Sequence, residues 1–319
     1  MAKFVVRRIV WTIPVILLVI LITFVMMRNI AGNPFRTSER AVPESIQRNL
    51  DAKYGLNDPW YVQYIRYVKG VFTYDLGPSL VLRNRDVNDI IETHLPKSAE
   101  LGLYGFLFGV VVGIPLGVLS ALRANTIFDY GAMFFSNVGF AIPSFLVATL
   151  LIYFLALQWG DVFNLPTSGW GEALWREPGD WTYKVLPTIA LGLGPAAIFA
   201  RLVRGTMLET LQQDYVRTAK AKGLRWRRVV GLHVLRNSLI PVVTAAGPLF
   251  GFIITGTFVI ETVFAIPGIG RYFITAVNAR DYSVVMGITV LTAVVVIVAN
   301  LVVDLLYGVL DPRTREART

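Results

Sequence analysis

An all-α, polytopic membrane protein with six transmembrane helices is the fold class this sequence predicts, and three observations lead there. Hydrophobic residues make up 55% of the 319 positions and charged residues only 16%, against about 25% charged in soluble domains. Six stretches carry no charged side chain: 9–27, 101–122, 130–160, 185–200, 237–260 and 282–303. A spanning helix needs roughly 20 apolar residues, and five of the six meet that length outright. The third observation is the asymmetry of the remaining charge. One side, formed by the N-terminus, the 123–129 turn, the 201–236 loop and the tail with Asp304, collects 16 Lys or Arg against 6 acids. The other side holds 14 against 15, a net −1 facing a net +10. Positive-inside then places both termini in the cytoplasm with an even number of spans.

The elements follow in order. Lys3, Arg7 and Arg8 precede the first apolar run as in a signal peptide, but that run is too long for a signal core and reads as an uncleaved first span (residues 1–30 with its cytoplasmic lead). Residues 31–98 form an outward segment. Helical signals occur at Pro43–Leu50 and Trp60–Phe72, where Trp60, Tyr64, Tyr67 and Val71 share a face. Asn57-Asp-Pro59 and Leu76-Gly-Pro78 mark turns. Residues 99–307 hold the other five spans, and 308–319 form the cytoplasmic tail. The 130–160 stretch is too long for one straight span and contains Pro143, which predicts a kink or a continuation beyond the bilayer. The 185–200 stretch is short and spans if Arg201 snorkels to the interface. After the fifth span, Pro267 and the glycines of Glu261-Thr-Val-Phe-Ala-Ile-Pro-Gly-Ile-Gly-Arg271 predict a tight outward turn folding back toward the bundle axis.

The loop from Arg201 to Arg236 is the most distinctive segment, with nine Lys or Arg and two acids, Glu209 and Asp214. Its centre, Asp214-Tyr-Val-Arg-Thr-Ala-Lys-Ala-Lys-Gly223, predicts a short helix. Asp214 is placed to cap its start, residues 215–222 are mostly good helix formers, and Gly223 suits a left-handed end. A rigid helix below a membrane bundle is suited to docking a partner. The pI of about 9.8 accordingly reflects topology and anionic lipid headgroups rather than nucleic acid.

What is missing narrows the chemistry. With no cysteine, disulfides, iron–sulfur clusters and thiolate metal sites are excluded. The two histidines, His94 and His233, lie outside the apolar stretches, and there is no His-Glu-x-x-His motif and no phosphate-binding loop. Hence the chain has no ATPase site, and intramembrane proteolysis is disfavoured. No internal repeat, arginine ladder or chain of carboxylates supports a secondary carrier, voltage sensor or proton relay. The ionisable residues near the spans, Glu100, Glu261 and Asp304, sit near span ends, where anchoring or helix-end hydrogen bonding is the favoured role. Uncharged polar residues within the spans (Asn137, Ser144, Thr188, Thr255, Thr257, Asn300) either join helices or line a path.

The residues resemble a known family. Asp214–Leu224 followed by His233-Val-Leu-Arg-Asn-Ser-Leu-Ile-Pro241 is similar to the coupling loop of binding-protein-dependent ABC importer permeases, most of all the dipeptide/oligopeptide/nickel branch. Arg7-Arg8, Asn33-Pro34, Tyr54–Pro59, Tyr74-Asp-Leu-Gly77, Glu261-Thr-Val-Phe264, Pro267-Gly-Ile-Gly270 and Asp304–Pro312 agree in order along nearly the whole chain. The general family pattern of Glu-Ala-Ala, three residues and Gly falls on Arg217, Thr218, Ala219 and Gly223, with arginine in place of the glutamate. The resemblance implies a type I ABC importer transmembrane domain in a bacterial or archaeal cell membrane. It also implies a second homologous permease, one or two cytoplasmic ABC ATPase subunits and an extracytoplasmic solute-binding protein. ATP and Mg are then bound by the ATPase subunits, with no cofactor in this chain. Coupling falls to Asp214, Tyr215, Arg217, Thr218, Ala219, Lys220, Ala221, Lys222 and Gly223. Path or gate candidates are Asn137, Ser144, Thr188, Thr255, Glu261, Phe264 and Asn300. Di- or oligopeptides are the first expected cargo; heme, nickel or glutathione on the same architecture, and a self-contained channel or carrier, are the alternatives.

Overall fold

The computed structural model describes residues 2–29, 55, 57–82, 84–171, 180–254 and 258–310, and most of these described residues are helical. Helix α1 covers Ala2–Asn29, α2 Trp60–Thr73, α3 Val87–Leu122 and α4 Ile127–Ala141. Helix α5 is Ser144–Leu151, continued by a π-helical turn at Ile152–Gln158. Then come α6 (Asp180–Leu211) and α7 (Asp214–Ala221). A continuous helical arm from Trp226 to Ser238, π-helical at Val229–Leu235, leads into α8 (Ile240–Ile254). The last described elements are α9 (Phe258–Val263), α10 (Ile269–Ala279) and α11 (Tyr282–Leu310). Among the described residues, five helices are long and apolar enough to cross a membrane, and the bent pair α4–α5 makes a sixth when counted as one span.

That pair turns through 105°, far more than a kink. Ile142 is extended, with ψ 126°, and Pro143, with ψ 137°, is the N-cap of α5. A residue before proline is pushed out of the α region, and proline cannot donate back into the helix it follows. The break therefore falls where Pro143 predicts.

The centre of the bundle is the parallel pair α3 and α6. Gly105, Gly109, Gly113 and Gly117 of α3 lie against Leu191, Pro195, Ala196 and Ala200 of α6 so closely that a Cβ at Gly113 would meet the Ala196 carbonyl oxygen at 2.4 Å. Small residues let two backbones approach where lipid offers no hydrophobic drive between helices. Gly247 and Gly251 of α8 do the same beneath Asn300, Val303 and Val296 of α11.

Three buried apolar clusters flank this pair. Ile20, Phe24 and Met27 of α1 meet Val284, Val285 and Ile288 of α11, with Tyr64, Tyr67 and Val71 of α2 packed alongside. The shared face expected of α2 is thus its packing face, except that Trp60 at its start stays exposed. The turn signals also hold: Gly77 has φ +81°. The following loop is pinned by Asp281 at the start of α11, which accepts hydrogen bonds from Ser79 Oγ and from the Leu80 amide at 3.1 Å. The helical signal at Pro43–Leu50 lies outside the described residues.

Candidate functional site

Helix α7 is built as a one-sided platform. Val216 and Ala219, three residues apart, are buried in the cluster formed by Phe199, Val203 and Met207 of α6 with Val229 and Val234 of the following arm. The opposite face, Asp214, Tyr215, Arg217, Thr218, Lys220, Ala221 and Lys222, is exposed. Two contacts brace it from the sides: Asn237 Nδ2 donates to Tyr215 Oη at 3.0 Å, and Lys220 Nζ stacks 4.5 Å above the Trp226 ring. Gly223 closes the helix with φ +77°, its amide donating a hydrogen bond of 2.9 Å to Lys220 O.

Two expectations for this helix need correcting. Asp214 does not cap it. Gln213 takes the extended N-cap backbone, so Asp214 becomes the first helical residue, fully exposed and 3.6 Å from Arg217. An acid there still complements the positive end of the helix. Ala219, expected among the coupling residues, is not on the exposed face of α7 but buried against α6 and the following arm, so it anchors α7 to the bundle.

The path candidates are scattered. Asn137 and Ser144 are exposed on either side of the α4–α5 bend, and Thr188 and Asn300 are half-buried. Asn300 lies over Gly247, which makes it a helix-joining residue. Thr255 and Thr257 lie outside the described residues. Glu261 and Phe264 are not on an open surface: they are 0% and 1% exposed. The Glu261 carboxylate accepts from Ser98 Oγ at 2.7 Å and from the Arg271 amide at 3.0 Å. Ser98 Oγ in turn accepts from the Ile269 amide at 2.8 Å. Glu261 thus ties the first amides of α10 to α3, the helix-end role expected of it. The fold-back after the fifth span is this α9–α10 turn, in which Ala265 has φ +52°.

Sequence reasoning missed two buried ion pairs. Lys184 of α6, 3% exposed, lies 2.8 Å from Glu100 of α3, which also accepts from Tyr104 Oη at 2.7 Å and Trp170 Nε1 at 3.0 Å. At the other end of α6, Arg204 grips Asp129 of α4 with bonds of 2.6 and 2.7 Å. Asp129 is fully buried and also takes bonds from Ser120 Oγ and the Asn125 amide. Lys184 and Arg204 sit just outside the charge-free 185–200 stretch, so a search confined to such stretches passes over them. The usable signal was a cation at each end of one span with a candidate acid on a neighbouring helix.

Comparison with known proteins completes the picture. Residues 113–316 match the family model described as "Binding-protein-dependent transport system inner membrane component". Residues 1–80 match "Binding-prot-dependent transport system membrane comp, N-term". The chain is 46% identical over 316 residues to the dipeptide transport system permease protein DppB of Bacillus subtilis (strain 168), covering 99% of this chain and 98% of that protein. It is 43% identical over 317 residues to the oligopeptide transport system permease protein OppB of Salmonella typhimurium (strain LT2), covering 99% and 100%. Among solved structures, an inward-facing form of the MetNI methionine ABC transporter superposes with TM-score 0.55 at 18% identity, over 70% of this chain and 96% of that one. At that identity the fold alone is shared.

Proposed function

Since this chain belongs to the family of binding-protein-dependent transport system inner membrane components, we propose that it is the permease subunit of an ATP-driven importer of di- and oligopeptides. The observation that carries the reading is α7: a short helix fixed to the bundle through Val216 and Ala219, with a basic, unpacked outer face. Peptide cargo is supported by the dipeptide and oligopeptide permeases it resembles over full length.

In this reading the basic loop and both termini are cytoplasmic, and α7 docks in a groove of an ABC ATPase subunit. A second homologous permease completes the translocation path, and a solute-binding protein delivers cargo from outside. ATP and Mg are held by the ATPase subunits. Closure of the ATPase pair then moves α7 as a rigid body. Its apolar side is fused to α6 and the arm, so the push passes into α6, and α3 follows because its glycines leave no slack against α6. The Asp129–Arg204 bonds carry the same displacement to the α3–α4 turn.

The test is purification of the tagged chain in mild detergent, followed by mass spectrometry and an ATPase assay. Recovery of a second permease and ATPase subunits, with activity stimulated by a binding protein loaded with peptide, is the expected result. A lone chain that transports in liposomes without ATP would overturn the reading in favour of a channel or carrier.

A further inference from the structure

Helix α6 carries three cations along or beside its apolar length, and two of them are matched by buried carboxylates: Lys184 by Glu100 and Arg204 by Asp129. Arg201, one turn before Arg204, pairs with no carboxylate among the described residues. Its guanidinium instead lies over the Phe140 ring of α4, 4.4 Å from the centroid. The snorkelling to the interface expected of Arg201 is therefore reversed. Helical side chains lean toward their own N-terminus, and Arg201 reaches away from the α7 end and into the depth of the bundle.

That depth can be placed. Helix α4 starts at Ile127, beside the Asp129–Arg204 bonds, and Phe140 lies roughly 20 Å further along at 1.5 Å per residue. The hydrocarbon core is about 30 Å thick, so the Arg201–Phe140 contact sits well inside it. A guanidinium at that level is costly against lipid and is expected to face a wet cavity or a binding partner. The surface around it is open: Phe140 is 54% exposed, Asn137 one turn away is exposed and Arg201 is partly so. Stacking on Phe140 engages only the flat face of the guanidinium. The N–H donors along its edge meet no acceptor among the described residues and keep the planar fork that fits a carboxylate with two parallel bonds. Lipid phosphates lie at the membrane surface, on the order of 15 Å from the midplane, too far to be the partner.

We propose that Arg201, steadied by Phe140 and flanked by Asn137, is a carboxylate-recognition point on the translocation path that engages the free C-terminal carboxylate of a passing peptide. This rests on the peptide-importer reading above. A single contact open to water suits a transit site, because cargo must leave it as readily as it arrives.

The experiment uses the complete transporter with its binding protein in proteoliposomes. Uptake of trialanine and of its C-terminal amide is measured per loaded binding protein for wild type, Arg201→Gln and Arg201→Lys. The same binding protein serves every variant, so its own preference cancels. Arg201→Gln is expected to lower trialanine uptake roughly tenfold or more, the scale of a lost charged hydrogen bond. It should leave amide uptake and peptide-independent ATPase activity near wild type, while Arg201→Lys retains part of the preference. As a second measurement, Arg201→Cys is treated with a cationic or a neutral thiol reagent, this chain having no other cysteine. Only the cationic reagent should restore trialanine uptake, and trialanine should slow its reaction.

Equal changes for acid and amide, or rescue by the neutral reagent, would overturn the proposal. So would loss of the second permease on purification of Arg201→Gln, which would assign the cation to a subunit interface. A change confined to bound anionic lipid would overturn it as well. Each of these leaves the peptide reading intact. An assembled wild-type complex that imports neither peptide while coupling ATP to another cargo would reject the peptide reading and this proposal with it.

Discussion

Removing one side of a buried ion pair strands the other charge without its solvent, and at Asp129 that cost should be large. The carboxylate is fully buried and satisfies Arg204, Ser120 and Asn125 together. Asp129→Asn is expected to destabilise the purified complex by about 3–5 kcal/mol, the usual loss when one member of such a pair goes. A thermal melt in detergent reads this as a large drop, and the double variant Asp129→Asn with Arg204→Met should recover much of it. A melt unchanged by the single variant would show the pair to be dispensable. Tyr67 gives the opposite case. Its hydroxyl is buried with no hydrogen-bond partner among the described residues, and burial pushes its phenol up, so it stays neutral. Tyr67→Phe should leave the melting temperature unchanged or raise it slightly, since an unsatisfied buried hydroxyl costs roughly 1–3 kcal/mol. A clear loss of stability would mean the hydroxyl is satisfied in the assembled protein. These two residues also show where sequence reading stops at this scale. That a tyrosine packs can be read from its helical face, but whether its oxygen finds a donor depends on atoms from distant segments. The pairing of Asp129 with Arg204 crosses 75 positions, and charge counting treats both simply as loop residues.

At the scale of elements, spacing decides outcome. Gly113 and Gly194 both lie in spanning helices, yet a Cβ at Gly113 meets Ala196 backbone at 2.4 Å while one at Gly194 meets nothing within 4 Å. Gly113→Ala should therefore cost on the order of 1–3 kcal/mol by forcing α3 off α6, and lower the amount of assembled complex. Gly194→Ala should be tolerated, and equal behaviour of the two would refute the close-packed interface. Helix α7 separates anchoring from docking in the same way. Gly223→Pro cannot adopt φ +77° and deletes the amide hydrogen bond to Lys220 O. It should abolish uptake and peptide-stimulated ATPase activity while the chain still reaches the membrane. Arg217→Glu, on the exposed face, should weaken ATPase association alone. Ala219→Glu should instead reduce assembled protein, because it forces a carboxylate among Phe199, Val203 and Met207. Normal uptake with Gly223→Pro would sink the coupling role. The existence of α7 and its glycine end were legible because local chemistry sets them. Which of its faces points inward was not, because that depends on how the arm from Trp226 to Ser238 folds back against α6. The break at Pro143 was legible in place but not in size, since proline forbids a continuous helix without dictating the angle.

For the whole molecule, every coupling argument depends on α7 facing the cytoplasm, and the charge asymmetry from which that orientation is expected is a statistical force on insertion. The absence of cysteine makes a direct test clean. Lys222→Cys sits on the exposed end of α7, whereas Tyr61→Cys replaces a residue 53% exposed on α2, in the segment between the first two spans. Neither side chain belongs to a buried cluster, so both variants should assemble and transport nearly as wild type. In intact cells a membrane-impermeant maleimide should label Tyr61→Cys and spare Lys222→Cys, and permeabilisation should expose the second. The pattern follows from one constraint: α1 and α3 flank α2, so a single crossing separates α2 from either the N-terminus or the α3–α4 turn. The Arg204–Asp129 bonds and the cluster around Val216 and Ala219 hold that turn and α7 at the same end of the bundle. Labelling of both cysteines in intact cells would place α2 and α7 on one face, which the observed packing of α3 and α6 forbids. Labelling of Lys222→Cys alone would invert the whole bundle, leave α7 without access to ATP, and remove the basis for an ATP-driven importer.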